Sequence, residues 1–457
     1  MKEKRSSFSS RLGFVLAAAG SAVGLGNLWR FPYLAAKYGG GIFLLVYLIL
    51  AVTFGFALMI TEIAIGRKTR LSCVEAYAAL DKRFGFVGPL SALVPIIITP
   101  YYCVIGGWVC KYLFEFITGN GLALANDSYF GSFISVAGEG LLNNPMPWFI
   151  LYVLLTAGVV LLGVNKGVEK SSKIMMPILI ILAIVISIYS LTLPGAIDGL
   201  KFYVLPDFSK FSLSTVLGAM GQLFYSMSLA MGIMITYGSY MKNEDNLEKS
   251  VAQIEIFDTG VAFLAGLMII PAVVAFNGGD PNTISAGPGL MFGVLPKVFE
   301  SMGMGTVIGI AFFVLVLFAA LTSSISLLET VVSIVQDKFH TKRTPTIIGV
   351  TIFIIALGTL SCLGYGPLSS IKLLGLEFLD FFDFLSNSVL MPIVAFFTCV
   401  VIGHVVGTKV VADEVEKVGH KFGRKGLHAV MIRWIVPAIV LFILAGELAK
   451  YFGIISI

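Results

Sequence analysis

Apolar runs recur along the whole of this 457-residue chain, and those of 18 residues or more can each cross a hydrocarbon core of ~30 Å. Lipid does not tolerate unpaired backbone carbonyls, so each run is read as a helix. Eleven spanning segments are expected, at 12–35, 41–67, 88–118, 147–163, 171–192, 213–240, 250–276, 304–338, 344–363, 372–406 and 430–453. Charged residues make up 12% of the chain, against about 25% in a soluble domain. The chain therefore reads as an all-α polytopic membrane protein forming a single transmembrane domain over 1–457.

The orientation follows from Lys and Arg in the short loops. Lys2, Lys4, Arg5 and Arg11 precede segment 1, and Arg67, Lys68, Arg70, Lys82 and Arg83 separate segments 2 and 3. Lys166, Lys170 and Lys173 follow segment 4; Lys338, Lys342 and Arg343 follow segment 8; Lys409, Lys417, Lys421, Arg424 and Lys425 follow segment 10. The opposite loops, 119–146, 193–212 and 277–303, hold only Lys201, Lys210 and Lys297. The N-terminus is therefore expected in the cytoplasm and the tail after Lys450 outside. The first helix is too long for a signal h-region and lacks a cleavage site.

The net charge of +5 sits in these alternating loops and is no nucleic-acid signal. Cys73, Cys103, Cys110, Cys362 and Cys399 are odd in number and mostly lie in apolar helices. They read as small buried hydrophobes, without a disulfide framework or metal cluster. His340, His404, His420 and His428 fall at cytoplasmic edges or in the basic loop, and no nucleophile–base pair or P-loop is visible. No enzyme and no organic cofactor is expected.

Segment 1 carries Gly20, Gly24, Gly26 and Asn27 at mid-membrane depth, with Arg30 one turn further on. Glycine weakens a helix by about 1 kcal/mol relative to alanine. Freed backbone groups survive in a membrane only where they line a polar cavity, so a broken helix marks a ligand site. The alternative is a helix whose small residues serve close packing. Segment 6 repeats the pattern between Gly218 and Thr236, with Gln222, Ser226, Ser228 and Gly232 at mid-depth. Breaks five segments apart fit two inverted five-helix repeats, 12–192 and 213–406, with 430–453 as an extra helix. Half-helices present positive ends to an anion and free carbonyls to cations, which suits an amino acid accompanied by sodium.

Gly20-Ser-Ala-Val-Gly-Leu-Gly-Asn-Leu-Trp-Arg-Phe-Pro32 resembles the first helix of the neurotransmitter:sodium symporter family. The stretch from Gln222 to Gly232, Leu321-Thr322-Ser323-Ser324 and Leu379-Asp380-Phe-Phe-Asp383-Phe384 match that family in order and spacing. The likeness runs from about Arg5 to segment 10. It implies a LeuT-like fold and a bacterial plasma-membrane symporter.

The resemblance also implies two sodium sites. One would use the carbonyls of Gly20, Val23 and Ala319 with the hydroxyls of Thr322 and Ser323. Ala319, Thr322 and Ser323 share one helix face, and all five ligands are neutral hard oxygens. The alternative is that both hydroxyls bond back to their own helix. The second site would use the Ala22 carbonyl, Asn27, Ser226 and Asp258, where the family commonly has an asparagine. Alternatively, Asp258 makes a salt bridge at a helix end. A fixed carboxylate at this point implies chloride-independent transport, because animal relatives bind chloride nearby. Proton return through Asp258 is a further option.

Substrate residues follow from the same likeness. Tyr102, favoured by register over Tyr101, would hold the substrate carboxylate, and Gly24 leaves room for it where monoamine transporters carry aspartate. The pocket would comprise Ala22, Val23, Gly24, Gly26, Ile98, Tyr102, Ile105, Tyr225, Ser226, Ser228, Met231, Ser323 and Leu327. Met231 is a flexible thioether that adapts to shape, and Ala230 replaces a family glycine. A hydrophobic amino acid, aromatic or branched, is the expected substrate.

Arg30 and Asp383 are expected to close the outer side above Tyr102 and Tyr225. Arg5 and Asp337 should close the inner side near Phe8 and Tyr240. Glu62 is expected to brace the break of segment 6, while Glu329 has no assigned role. The expected function is sodium-coupled amino-acid import by alternating access, by a monomer or weak homodimer in contact with membrane lipid. A sensor that binds without transporting is the alternative. An ion channel fits less well, because the polar atoms converge inside one chain.

Overall fold

A computed structural model describes residues 6–138, 140–278 and 287–453, the side chain of Leu122 excepted. Helices follow the expected segments in order. Segments 2, 3, 5, 7, 8, 9, 10 and 11 are Gly41–Thr69, Lys82–Ile117, Val164–Leu191, Leu247–Phe276, Gly305–Phe339, Arg343–Leu363, Phe378–Val405 and Lys425–Tyr451. Segment 1 is the pair Arg11–Ala22 and Gly26–Lys37, bent by 53°. Segment 4 is Pro145–Leu161, and segment 6 is divided into Leu213–Ser226 and Ile233–Tyr240. Among the described residues there is no strand beyond two isolated bridges.

The ends depart from expectation where the sequence gives a physical reason. Segment 11 begins at Lys425 rather than 430, because Lys and Arg at a membrane edge keep their heads in water while the helix continues. Segment 10 begins at Phe378 rather than 372, after a turn in which Leu374 and Gly375 have φ of 52° and 82°.

Apolar burial does little to join helices in lipid; close backbone approach does more. Segments 2 and 6 show this. A Cβ on Gly66 would lie 1.8 Å from the Ile235 carbonyl oxygen, and one on Gly238 would lie 2.3 Å from that of Ile63. The second half of segment 6 is thus locked backbone to backbone on segment 2. Segment 8 packs along segments 3, 5 and 1. The two breaks therefore meet at mid-depth, with segments 3 and 8 as the facing wall. All five cysteines are free and buried.

Candidate functional site

Helix 11–22 ends where Val23 turns extended, with ψ of 100°. The amide of Gly24 would be orphaned there, but it donates to Asn27 Oδ1 at 3.0 Å. The Leu25 amide faces the Tyr102 hydroxyl at 3.4 Å. Gln222 Nε2 donates to the Gly26 carbonyl at 3.0 Å, tying the first break to the second.

In segment 6 the chain leaves the helix through Ser228, Ala230 and Gly232, with φ of 53°, 58° and 71°. Left-handed backbone costs a non-glycine residue roughly 1–2 kcal/mol, and such residues gather where function requires the conformation. The Ala230 amide donates to Glu62 Oε1 at 2.7 Å, and Glu62 is fully buried. This is the position assigned to Glu62 in the sequence. Ser228 Oγ donates to the Ser21 carbonyl at 2.9 Å.

Oxygen atoms converge at two points. Ser323 Oγ lies 3.5, 3.1 and 3.3 Å from the carbonyl oxygens of Gly20, Ser21 and Val23. Thr322 stands against Gly20, where a Cβ would meet the Thr322 Cβ at 3.1 Å. The Thr322 hydroxyl donates to the carbonyls of Phe318 and Ala319 at 2.9 and 3.1 Å. The structure thus brings Gly20, Val23, Ala319, Thr322 and Ser323 together. Thr322 also makes the back-bond to its own helix that was the alternative, which uses its proton and leaves its lone pairs.

At the second point Asp258 is fully buried. Asp258 Oδ1 accepts from Asn27 Nδ2 at 2.8 Å and Ser226 Oγ at 2.9 Å, and its Oδ2 accepts from Tyr47 at 3.3 Å. Asp258 itself faces Asn27, and among the described residues it makes no salt bridge. Tyr47 was not anticipated, because one tyrosine in an apolar helix carries no distinguishing pattern.

Between these points lies a cavity lined by Ser21, Ala22, Gly24, Leu25, Gly26, Asn27, Ile98, Tyr102, Tyr225, Ser226, Ser228, Met231, Ile233, Ser323 and Leu327. Polar groups occupy the side of the breaks, and Ile98, Met231, Ile233 and Leu327 form the apolar end. Val23 and Ile105 are buried but do not line it, which corrects their placement in the pocket. Val23 contributes its carbonyl to the Ser323 cluster instead. Ser21, Leu25 and Ile233 line it unexpectedly, since their side-chain types alone do not separate lining from packing. A Cβ on Gly24 would lie 2.8 Å from Ser323 Oγ and 3.1 Å from the Tyr102 hydroxyl oxygen, so only glycine keeps that space open.

On the side expected to face the cytoplasm, aromatic rings pack closely around Phe8. Phe8 is 1% exposed and packs edge-on to Phe14, Tyr237 and Tyr240 at centroid distances of 5.6, 5.5 and 6.2 Å. Tyr240 donates to Glu329 Oε1 at 2.9 Å, and Arg343 Nη1 donates to the same carboxylate at 3.0 Å. Glu329 thereby has a place beside the Phe8 cluster, joined to Tyr240 and Arg343. Asp337 accepts from the Ser72 amide at 2.6 Å. Arg5 lies outside the described residues.

On the outer side the expected ion pair is not made. Arg30 lies over the Tyr225 ring, 5.4 Å from its centroid. Asp383 Oδ1 instead accepts from Asn387 Nδ2 at 2.6 Å and from Tyr101 at 3.2 Å. The two adjacent tyrosines of segment 3 therefore separate, Tyr102 toward the breaks and Tyr101 toward Asp383.

The family model described as the Sodium:neurotransmitter symporter family matches residues 5–129 and 134–454. An uncharacterised sodium-dependent transporter of Bacillus subtilis, YhdH, is 38% identical over 398 residues, covering 86% of each chain. A sodium- and chloride-dependent taurine transporter of Bos taurus is 26% identical over 92% of this chain and 74% of its own. Among solved structures, that of MhsT in complex with L-phenylalanine superposes with a TM-score of 0.86. It is 37% identical and covers 97% of this chain and 100% of that one.

Proposed function

Because this chain belongs to the sodium:neurotransmitter symporter family, we propose that it couples the inward sodium gradient to import of a hydrophobic amino acid, independently of chloride. The observation that carries this is the cavity between the two breaks, polar at one end and apolar at the other. Its polar end offers the Leu25 amide and the Tyr102 hydroxyl to a carboxylate. Its apolar end offers Ile98, Met231 and Leu327 to a side chain. The relative solved with L-phenylalanine supports a substrate of that class.

Two sodium ions are cargo in this scheme. Gly20, Val23, Ala319, Thr322 and Ser323 would hold one through neutral oxygens. Ala22, Asn27, Ser226 and Asp258 would hold the other, beside the substrate carboxylate, so that ion and substrate favour each other's binding. Asp258 supplies the fixed negative charge that removes the need for chloride. The halves 12–192 and 213–406 act as the inverted repeats, with the N-terminus in the cytoplasm. The closed lock of Phe8, Tyr240, Glu329 and Arg343 must open to release substrate inward, and the Arg30–Asp383 gap must close first.

The test is uptake of each labelled natural amino acid into proteoliposomes, with sodium or choline outside. Sodium-dependent accumulation confined to aromatic and branched substrates is expected. Accumulation of polar amino acids alone would overturn the substrate class. Sodium-dependent binding without accumulation would make the protein a sensor.

A further inference from the structure

We propose that Asn387 is a positioning residue of the outer gate. Its amide nitrogen fixes Asp383, and its carbonyl oxygen is the second acceptor that the Arg30 guanidinium takes when the gate closes. The proposal rests on the alternating-access scheme above.

Segment 10 widens immediately after Asp383, where Phe384–Leu390 form a π-helical turn. Such turns are rare and often sit at functional sites. Asn387 Nδ2 donates to Asp383 Oδ1 at 2.6 Å and to the Tyr101 hydroxyl at 3.2 Å. A side-chain amide has two donor hydrogens, and both are used here. Its oxygen is not: Asn387 Oδ1 is buried and has no hydrogen-bond partner among the described residues. An unmade buried acceptor disfavours the conformation that leaves it so by roughly ten- to a hundredfold.

Arg30 is the donor that could satisfy it. Arg30 acts electrostatically on Asp383 without pairing with it, and its guanidinium rests over Tyr225. Guanidinium presents five donors in a rigid fork, suited to two acceptors side by side. The hydrogen bond between Asp383 and Asn387 puts two such acceptors on one face of segment 10. The same turn is anchored to segment 11: Ser388 Oγ donates to Glu447 Oε2 at 2.9 Å, and Phe384 stacks on Tyr451 at 4.4 Å. Segment 10 is thus the fixed side of the gate and Arg30 the moving side. Closure exchanges a cation–π contact for a fork across Asp383 and Asn387.

The experiment uses the full chain in proteoliposomes with tritiated L-phenylalanine as probe. N387L keeps the branched shape and removes both polar atoms. It is expected to lower the maximal sodium-driven rate by about tenfold, while equilibrium sodium-dependent binding stays within about threefold of wild type. N387Q, which keeps donor and acceptor, should recover most of the rate. R30K keeps the charge but loses the fork, so in that background N387L should cost less than about twofold. If N387L is not recovered from the membrane, N387A is read in the same cycle. A wild-type rate in N387L, or an equal loss with Arg30 and with Lys at that position, would overturn the proposal. Absence of accumulation by the wild-type chain would instead overturn the transport scheme itself.

Discussion

Ser323→Ala removes one oxygen from the centre of the first proposed sodium cage, and its effect can be sized from the geometry. Ser323 Oγ faces three carbonyl oxygens at 3.1 to 3.5 Å but has only one hydrogen to share among them. Losing that shared, long hydrogen bond costs the sodium-free protein no more than about 1 kcal/mol. Losing a ligand to a cation costs about 1.5–3 kcal/mol, as for hydrogen bonds to charged groups. That difference, about 0.5–2 kcal/mol, corresponds to a rise of roughly two- to thirtyfold in the sodium concentration for half-maximal binding. The assay is equilibrium binding of tritiated L-phenylalanine against sodium, with choline keeping ionic strength constant. Thermal unfolding without sodium checks that the fold is intact. Thr322→Ala should behave alike, since its proton is already committed to Phe318 and Ala319 and its lone pairs are left for a cation. An unchanged sodium half-saturation in both variants would refute the cage.

The other sites give equally direct expectations. Gly24→Ala places a methyl 2.8 Å from Ser323 Oγ and 3.1 Å from the Tyr102 hydroxyl oxygen, and should weaken binding of L-phenylalanine by at least about tenfold in a competition assay. Replacing chloride by gluconate should leave uptake within about 20% of its rate if Asp258 supplies the fixed charge as proposed; cessation of uptake would contradict that role. Tyr240→Phe removes the hydroxyl bound to Glu329 at 2.9 Å. It should loosen the inner lock and raise efflux from preloaded vesicles about three- to tenfold.

Most of the architecture was legible because lipid forces the chain to declare it. Each spanning helix must be apolar and long, so segment order and number followed from runs of Leu, Ile, Val and Phe. The break in segment 1 was legible because Gly20, Gly24, Gly26 and Asn27 make little sense in an uninterrupted helix. The family resemblance implied that Glu62 braces the broken backbone of segment 6, and the partner found there is the Ala230 amide. Side-chain partners were harder to see. Tyr47, Tyr101 and Asn387 act through orientation, and a single tyrosine or asparagine in a helix does not announce which way it points. Val23 and Ile105 were assigned to the pocket because apolar lining and apolar packing look alike in sequence. Arg30 and Asp383 were expected, from the family resemblance, to close the outer side as a charge pair that breaks and reforms in each cycle. Here Tyr101 and Asn387 satisfy Asp383 while Arg30 rests over Tyr225.

The central claim is that sodium energy moves an amino acid through the cavity between the two breaks. The most direct measurement is the accumulation of tritiated L-phenylalanine in proteoliposomes under an inward sodium gradient, followed by addition of gramicidin. Uptake above equilibrium that collapses when the sodium gradient is dissipated is the predicted result. Equal internal and external concentrations, with or without the gradient, would contradict it.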